Sequence, residues 1–225
     1  MGKNKLKRFS ENKTFENVFQ PTRAEMLEGF DLKGKWNEKI FQNENPIVLE
    51  LGCGKGEYTV ALAEKYPEKN FIGIDIKGAR FWRGAKTAVE SGMRNAAFMR
   101  TQIELIDFGF GENEVSEIWI TFPDPQIKLR RTKHRLTHPD FLRKYHKVLH
   151  EKGIVHLKTD SEFLHGYTHG VLQIERHEII LSNHHVYHPD NHEIPEEVTS
   201  VQTFYEQKFL EENKNITYIR FSLNY

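Results

Sequence analysis

Three closely spaced glycines and two acidic residues have the types and spacing of a site for a small ligand. An apolar run of Ile, Val and Leu leads into the glycines, which are Gly52, Gly54 and Gly56. Glycine in such a loop lets the backbone turn sharply and approach a ligand closely, because it has no β-carbon. Glu50 precedes the loop, and Asp75 ends the next apolar run. Carboxylates at the ends of two neighbouring strands would face the same ligand.

The loop has the spacing G-x-G-x-G, which differs from the G-x-G-x-x-G of a pyrophosphate-binding loop. Glu50 also disfavours a bound pyrophosphate, since two anions repel each other in a poorly hydrated crevice. It suits a cation: the ammonium group of S-adenosylmethionine would pair with Glu50, and Asp75 would accept hydrogen bonds from the ribose hydroxyls. The same residues leave two alternatives open, a tight turn beside solvated acids and a nicotinamide-dependent oxidoreductase. Glu50 and the glycine spacing disfavour the second.

A second candidate site follows a later apolar run, where Pro123 and Pro125 flank Asp124 and restrict the backbone around its carboxylate. Five positive charges then fall within eight residues, and they are Lys128, Arg130, Arg131, Lys133 and Arg135. A basic cluster beside a ligand crevice is typical of a protein that holds a polyanion by its phosphates. We therefore expect an RNA substrate, with Arg130 and Arg131 among its contacts. A solvated basic loop is the alternative.

These residues must be positioned by short apolar runs that alternate with segments of helical periodicity, an order that predicts a mostly parallel sheet. The seven predicted strands are Ile47–Leu51, Asn70–Asp75, Asn95–Arg100, Val115–Thr121, Gly153–Lys158, Arg176–Ser182 and Ile216–Leu223. The predicted helices are Gly56–Lys65, Gly78–Ser91, Pro139–His150, Ser161–Gln173 and Val201–Glu212. The fold class is therefore α/β, a Rossmann-like sheet flanked by helices.

The composition limits the possible charge distribution, domain organisation and cellular compartment. Lys and Arg number 32, and so do Asp and Glu, so the formal net charge is zero and any basic surface must be local. We expect a basic, mobile arm at residues 1–20 and a single domain over residues 21–225. The only cysteine, Cys53, excludes an internal disulfide and fits a reducing compartment, so we expect a cytoplasmic protein. No apolar stretch approaches the roughly 18 residues needed to span a membrane.

Four histidines within residues 183–199 raise the question of a metal site, and they are His184, His185, His188 and His192. They lie among Pro and Asn in a predicted loop, without the helix or strand spacing that fixes a ligand geometry. We therefore expect no metal. The sequence leaves the oligomeric state open between a monomer and a homodimer.

In their order and spacing, these motifs resemble those of the bacterial tRNA (guanine-N7)-methyltransferases, the TrmB family of class I S-adenosylmethionine-dependent methyltransferases. The resemblance covers about residues 45–225. The family's acid before the glycine loop matches Glu50, and its ribose-binding acid matches Asp75. Its aspartate in the Asp-Pro segment matches Asp124, and Lys128 falls on a substrate-contact position. The resemblance thus implies a class I methyltransferase sheet.

Further matches follow along the chain. The segment Thr-Asp-Ser-Glu that contains Asp160 is similar to the family's Thr-Asp segment, which implies that Asp160 binds substrate. Thr203 and Glu206 resemble the family's T-x-x-E motif and are implied to bind substrate as well. Two features depart from the family. Gln102 stands where an aspartate usually faces the adenine, and a neutral amide can still hydrogen-bond that ring. The residues after Asp124 differ from the Trp and consecutive lysines of many members.

The resemblance implies methyl transfer to N7 of a guanine, at position 46 in the tRNA variable loop. That nitrogen carries a lone pair and no proton, so alignment and electrostatics would supply the catalysis without a general base. Asp124 is the expected catalytic residue and is also expected to border the cofactor. The target base would have to leave its stack. The alternatives are a non-catalytic RNA-binding module with a vestigial methyltransferase fold, and a methyltransferase acting on another RNA or on a small molecule.

Overall fold

A mixed sheet of eight strands runs through the computed structural model, which describes residues 2–225. The strands are β1 (Val18–Phe19), β2 (Ile47–Leu51), β3 (Asn70–Ile74), β4 (Ala96–Met99), β5 (Val115–Thr121), β6 (Leu149–Thr159), β7 (Glu178–Asn183) and β8 (Thr217–Ser222). The seven predicted strands are all present, which confirms the Rossmann-like fold class. The additional strand is β1, which lies at one edge of the sheet and was not predicted.

The strand order is β1-β4-β3-β2-β5-β6-β8-β7. Strands β1 to β6 pair in parallel, and β8 is antiparallel to both β6 and β7. The carboxyl ends of β2 to β6 therefore meet at one edge of the sheet. The chain order reverses between β2 and β5, which makes a crevice of the kind where ligands of open α/β sheets bind.

Nine α-helices accompany the sheet within residues 2–225. They are α1 (Gly2–Asn12), α2 (Arg23–Gly29), α3 (Glu57–Lys65), α4 (Gly78–Glu90), α5 (Ile106–Gly109), α6 (Pro139–Val148), α7 (Glu162–Ile174), α8 (Glu196–Ser200) and α9 (Phe204–Glu211). Buried apolar residues lie on both faces of the sheet, so β2, β3 and β4 are buried along their whole length. None of the helices in this range is long and apolar enough to cross a membrane.

The N-terminal segment, predicted as a basic, mobile arm at residues 1–20, contains regular secondary structure in the part that the structure describes. Residues 2–12 form α1, and β1 pairs with β4. Side-chain amides anchor the segment: Asn12 Nδ2 donates to the carbonyl of Gly78 at 2.8 Å, and Asn17 Nδ2 donates to that of Ala85 at 3.2 Å. Both amides are buried. These partners lie more than sixty residues away along the chain, so the local sequence pattern does not reveal them.

Candidate active site

The glycine loop joins β2 to α3, as predicted, and all three glycines adopt left-handed backbone angles. Their φ values are 78° at Gly52, 56° at Gly54 and 75° at Gly56. A β-carbon at Gly56 would lie 2.5 Å from a ring atom of Phe98, so a larger residue would be excluded there by contact as well as by backbone angle. The loop therefore packs directly onto the neighbouring strand β4.

Asp75 follows β3 and contacts the glycine loop. Its Oδ2 accepts a hydrogen bond from the backbone N–H of Gly54 at 3.1 Å, and its Oδ1 accepts one from the N–H of Lys77 at 2.7 Å. The side chain also lines a cavity of about 330 Å³ at the carboxyl edge of the sheet. Asp75 thus connects the glycine loop to an open space within the size range of small-molecule sites, roughly 300–1,000 Å³.

That cavity has two walls of different character. The first is built from strand ends and contains Gly52, Asp75, Ile76, Thr101, Gln102, Ile103 and Glu104. The second comes from the segment after β5 and from α6, and contains Gln126, Arg131, His134, Leu136 and Phe141. The predicted glycine and acid site and the predicted basic segment therefore border the same cavity.

The first wall holds apolar residues that the sequence analysis did not single out. Ile76 is 48% exposed although it is a large apolar residue, and Ile103 lies on the same wall. Two branched side chains at a cavity wall are suited to contact the faces of an aromatic ring. Gln102 also lies on this wall, where its Oε1 accepts a hydrogen bond from Arg23 Nη1 at 3.0 Å. The only sequence signal for Ile76 is its place directly after Asp75.

Glu50 lies beneath the glycine loop and is only 5% exposed. Its Oε1 accepts a hydrogen bond from Thr121 Oγ1 at 2.8 Å, and its Oε2 accepts from the N–H of Thr59 at 2.9 Å and from the Thr59 hydroxyl. Burial raises the pKa of Glu50 to about 7, against the lowering effect of these hydrogen bonds. The carboxylate joins β2, α3 and β5, and it is not among the residues of the cavity wall.

Asp124 lies in a strained segment at the carboxyl end of β5. Phe122 and Gln126, on either side of it, both have φ of 47°, a region that residues other than glycine seldom adopt. Asp124 Oδ1 accepts a hydrogen bond from the N–H of Gln126 at 3.0 Å. The Asp124 side chain is exposed, and Gln126, two residues on, reaches the cavity wall. Strained backbone of this kind is common in functional segments.

The basic segment after Asp124 contains a short 3-10 helix, Leu129–His134. Lys128, Arg130 and Lys133 are exposed, as expected of side chains that bind phosphates. Arg131 borders the cavity, where its Nε donates to Gln126 Oε1 at 3.0 Å.

The prediction that all five cations after Asp124 form one basic surface is wrong for Arg135, which is only 4% exposed. Its Nη2 donates to the carbonyl of Gln126 at 3.1 Å, and its guanidinium lies 4.3 Å from the ring centre of Tyr167. Arg135 therefore holds the segment from beneath and does not belong to the exposed positive surface.

Asp160 lies at the carboxyl end of β6, on the same edge of the sheet as Asp124. It is half-buried, and burial raises its pKa. Its Oδ2 is 3.9 Å from Lys214 Nζ, a long and weak ion pair. Asp160 is absent from the walls of the cavity that contains Asp75.

The T-x-x-E segment has a structure that the sequence analysis did not foresee. Thr203 caps α9, because its Oγ1 accepts a hydrogen bond from the N–H of Glu206 at 3.2 Å. Glu206 itself is fully buried, and its Oε1 lies 2.6 Å from both Lys158 Nζ and the hydroxyl of Tyr187. A direct contact between Glu206 and a bound substrate, as expected above, does not agree with this burial.

Lys158, on β6, is the partner that the sequence analysis missed. Its Nζ donates to the carbonyls of Val198 and Val201, the second at 3.2 Å, and forms the ion pair with Glu206. All three N–H donors of the ammonium group therefore have acceptors. The ring of Phe122 lies 5.9 Å from Nζ, so the same ammonium group is near the start of the Asp124 segment.

Comparison with known proteins identifies close relatives. The family model described as "Putative methyltransferase" matches residues 44–219. A tRNA (guanine-N(7)-)-methyltransferase of Christiangramia forsetii is 66% identical over 222 residues, covering 98% of each chain. The protein of the same name from Bacteroides fragilis is 48% identical over 224 residues, covering 99% of this chain and 87% of the relative.

Solved structures share the fold at low sequence identity. The 16S rRNA methyltransferase KamB superposes with a TM-score of 0.64 at 13% identity, covering 84% of this chain and 92% of the other. A 16S rRNA (adenine(1408)-N(1))-methyltransferase from Catenulisporales acidiphilia, crystallised with its cosubstrate S-adenosylmethionine, gives a TM-score of 0.54 at 14% identity, covering 81% and 88%. At these identities the likeness establishes the fold alone.

Proposed function

The chain belongs to the tRNA (guanine-N(7)-)-methyltransferase family, and we propose that the carboxyl edge of its sheet performs this reaction at guanosine 46 of the tRNA variable loop. The protein is an enzyme that transfers a methyl group from S-adenosylmethionine to N7 of guanine in tRNA. The position of the guanosine and the residue roles below are our proposals. The supporting observation is that Asp75 and Arg131 line one and the same cavity.

The first wall of the cavity suits a nucleoside cofactor. Asp75 lines the cavity, and its carboxylate would accept hydrogen bonds from two ribose hydroxyls. Ile76 and Ile103 would contact the faces of the adenine ring, and the Gln102 amide would hydrogen-bond its edge. The left-handed backbone of Gly52 and Gly54 lets the loop approach the cofactor without side-chain contact. When bound, S-adenosylmethionine supplies a methyl group on a positively charged sulfur.

Glu50 is assigned a supporting electrostatic role toward the methionyl ammonium group. Its hydrogen bonds to Thr59 and Thr121 fix the first turn of α3 against β5, which keeps the glycine loop in place. A cation bound beside the loop would also favour the ionised form of Glu50, whose pKa is raised by burial.

Asp124 is assigned the catalytic contact with the guanine. N7 of guanine has a free lone pair and no proton, so the enzyme has no proton to remove before the new bond forms. The ring becomes positively charged as the methyl group arrives, and the exposed Asp124 carboxylate would stabilise that charge. Its strained segment would hold the carboxylate in position with little reorganisation during the reaction. Asp124 would also border the sulfonium end of the cofactor.

The tRNA is proposed to be held by exposed cations and by two further segments at the same edge. Lys128, Arg130 and Arg131 would contact phosphates, because they follow directly after the Asp124 segment. Asp160, at the carboxyl end of β6, would contact the base or its ribose. Thr203 would contact the substrate at the start of α9.

For Glu206, the proposal changes from a substrate-binding to a positioning role. Its buried ion pair with Lys158 fixes the segment 198–206 to the sheet. The T-x-x-E motif would therefore act through the placement of Thr203, which caps the same helix.

The test is methyl transfer to unmodified tRNA transcripts with a labelled cofactor, followed by nucleoside analysis. We expect labelled 7-methylguanosine, and no label in a transcript whose guanosine 46 is replaced by adenosine. Asp124→Ala is expected to lower kcat/KM on the order of 100-fold, the typical effect of removing one stabilising group. Asp31→Ala removes another exposed aspartate, remote in sequence from the site segments, and is expected to have wild-type activity.

Each outcome addresses a separate claim. Wild-type turnover by Asp124→Ala would show that Asp124 has no role in catalysis. It would not contradict the proposed methyl transfer to guanine N7. Label in the transcript without guanosine 46 would place the target elsewhere. The absence of labelled 7-methylguanosine with the wild-type protein would contradict the proposed function.

A further inference from the structure

A groove of about 520 Å³ lies between α1, the loop after β3 and the first turn of α4. Five cationic side chains line it, and they are Lys5, Arg8, Lys77, Arg80 and Arg100. The remaining lining residues are Phe9, Ile76 and Ala79, so none of the described residues on its wall is acidic. None of the roles proposed above uses these cations.

The positive charge of this groove is not neutralised locally. Within residues 5–225, none of the five cations forms an ion pair with an acidic side chain. Glu11, an acid on α1, is engaged elsewhere, because its Oε2 accepts a hydrogen bond from Trp82 Nε1 at 2.6 Å and its Oε1 lies 3.8 Å from Lys7. With a formal net charge of zero, the chain has a local group of unpaired cations on this face.

Two of the five cations are held in place by packing. The Arg100 guanidinium donates to the carbonyl of Ile76 at 3.3 Å and lies 5.1 Å from the ring centre of Phe9. The Arg8 guanidinium lies 4.8 Å from the ring centre of Trp82 on α4. Cations held on aromatic faces lose less freedom on binding an anion than free surface lysines do. The groove is therefore a built surface between two packed helices.

The groove also adjoins the cofactor cavity, which is the cavity of about 330 Å³ that Asp75 and Arg131 line. Ile76 lines both of them. A smaller cavity shares Ile76 and Arg100 with the groove, shares Gln102 with the cofactor cavity, and contains Arg23. A row of cations therefore runs from the rim of the cofactor cavity along α1, on the side of the wall formed by the strand ends. The cavity residues that come from the segment after β5 include Arg131.

We propose that this groove binds the phosphodiester backbone of the tRNA, on the opposite side of the target nucleotide from Lys128 and Arg131. The inference rests on the proposed function, because it assumes that a tRNA nucleotide enters the cofactor cavity. A nucleic-acid strand presents a row of single negative charges, which matches a row of cations along an open groove. Backbone contacts on both sides would offset the cost of extracting one base from its stack.

The test compares tRNA affinity in two double variants of the full chain. Lys77→Ala with Arg80→Ala removes two exposed groove cations that have no described packing or ion-pair contact. Arg94→Ala with Lys152→Ala removes two exposed cations outside the groove and serves as the matched control. The dissociation constant for an unmodified tRNA transcript is measured at several salt concentrations. Cofactor affinity and kcat at saturating tRNA are measured beside it.

We expect the groove variant to bind tRNA about 10-fold more weakly, and the slope of log affinity against log salt to fall by about 1 for each lost contact. Cofactor affinity and kcat are expected to stay at the wild-type values, because these side chains do not reach the cofactor cavity. The control is expected to behave as the wild type. A groove variant with wild-type affinity and salt slope, or with the same change as the control, would overturn the proposal.

A second pair of variants separates charge from packing at α1. Arg8→Lys keeps the charge and Arg8→Ala removes it, so only the second should weaken tRNA binding if the charge is what binds. If both variants bind tRNA equally weakly, Arg8 acts through the packing of α1 and not through its charge. If the wild-type protein methylates no tRNA, the proposed function fails, and the comparison of tRNA affinities still decides the role of the groove.

Discussion

Replacement of Lys158 by Met should reveal how the buried ion pair supports both stability and catalysis. The Lys158 ammonium group is fully buried and has three acceptors, the carboxylate of Glu206 at 2.6 Å and the carbonyls of Val198 and Val201. Methionine has a similar length and no donor. The substitution would leave a buried carboxylate and two buried carbonyls without their cation.

The expected cost is about 3–5 kcal/mol in the free energy of unfolding, the usual range when one partner of a buried ion pair is removed. Burial lowers the pKa of Lys158, while the Glu206 carboxylate acts in the opposite direction. The Glu206 carboxylate therefore favours the charged form of Lys158 against the effect of burial. The double variant Lys158→Met with Glu206→Gln removes both charges and should cost less than the sum of the single variants, by at least about 1 kcal/mol.

Denaturant unfolding measures these costs, and methyl transfer to tRNA measures the catalytic effect. Because the pair fixes segment 198–206, we expect kcat to fall about 10- to 100-fold, the range produced by a small misplacement near the reacting groups. Cofactor affinity should change little, since Lys158 does not line the cofactor cavity. Lys152→Met changes an exposed lysine on the same strand and is the control.

Two results would refute this reasoning separately. A loss of stability below about 1 kcal/mol in Lys158→Met would mean that the ion pair contributes little to the fold. A large loss of stability with wild-type kcat, measured where the variant is still folded, would limit Lys158 to a structural role.

Three further predictions concern Glu50 and Gly84. Burial raises the pKa of Glu50 to about 7, so binding of the cationic cofactor at pH 7 should release about half a proton. Calorimetry in buffers of different ionisation enthalpy measures this release, and its persistence in Glu50→Gln would contradict the assignment. For the same reason, the stability of the free protein should fall as pH rises from about 4.5 to about 7, and Glu50→Gln should lack that fall. A β-carbon at Gly84 would lie 2.8 Å from the carbonyl of Lys55 and 3.0 Å from the Cα of Gly56, so Gly84→Ala should cost about 1–3 kcal/mol and weaken cofactor binding. Gly170→Ala, on an open part of α7, is the control and should be neutral or stabilising. Thermal unfolding measures the stability of both variants, and titration with the cofactor measures their cofactor binding.

The central strands could be predicted because their signal is local. Strands β2, β3 and β4 are buried on both faces, so their sequences are mostly apolar runs between turn residues. The helix α1 and the strand β1 could not be predicted in this way. They are anchored by the polar side chains of Asn12 and Asn17, whose partners lie far along the chain, and the apolar residues Val18 and Phe19 form only a very short run.

In the candidate site, too, residues with a local sequence signal could be predicted, and residues whose role depends on distant contacts could not. The glycine loop and Asp75 could be predicted, since a strand, a turn, a helix and a second strand end follow one another in the sequence. Ile76 could not, because an apolar residue beside a strand end is ordinary until a cavity is known to lie over it. Glu206 was assigned to the substrate because it matches the glutamate of the family's T-x-x-E motif, and a sequence motif does not show whether a side chain is buried. Its burial depends on Lys158, which lies 48 residues earlier in the chain.

Lys158 and Arg135 are buried cations that hold segments beside the site, and they do so in the same way. Arg135 donates to the carbonyl of Gln126, which follows the Asp124 segment, and Lys158 donates to the carbonyl of Val201, which precedes Thr203. A carbonyl bound to a buried cation is difficult to displace, since its release would leave both groups unpaired. Irregular segments that must present groups to a substrate are otherwise mobile. The same residue types that bind RNA phosphates on the surface therefore act beneath it as internal supports, and only burial distinguishes the two roles.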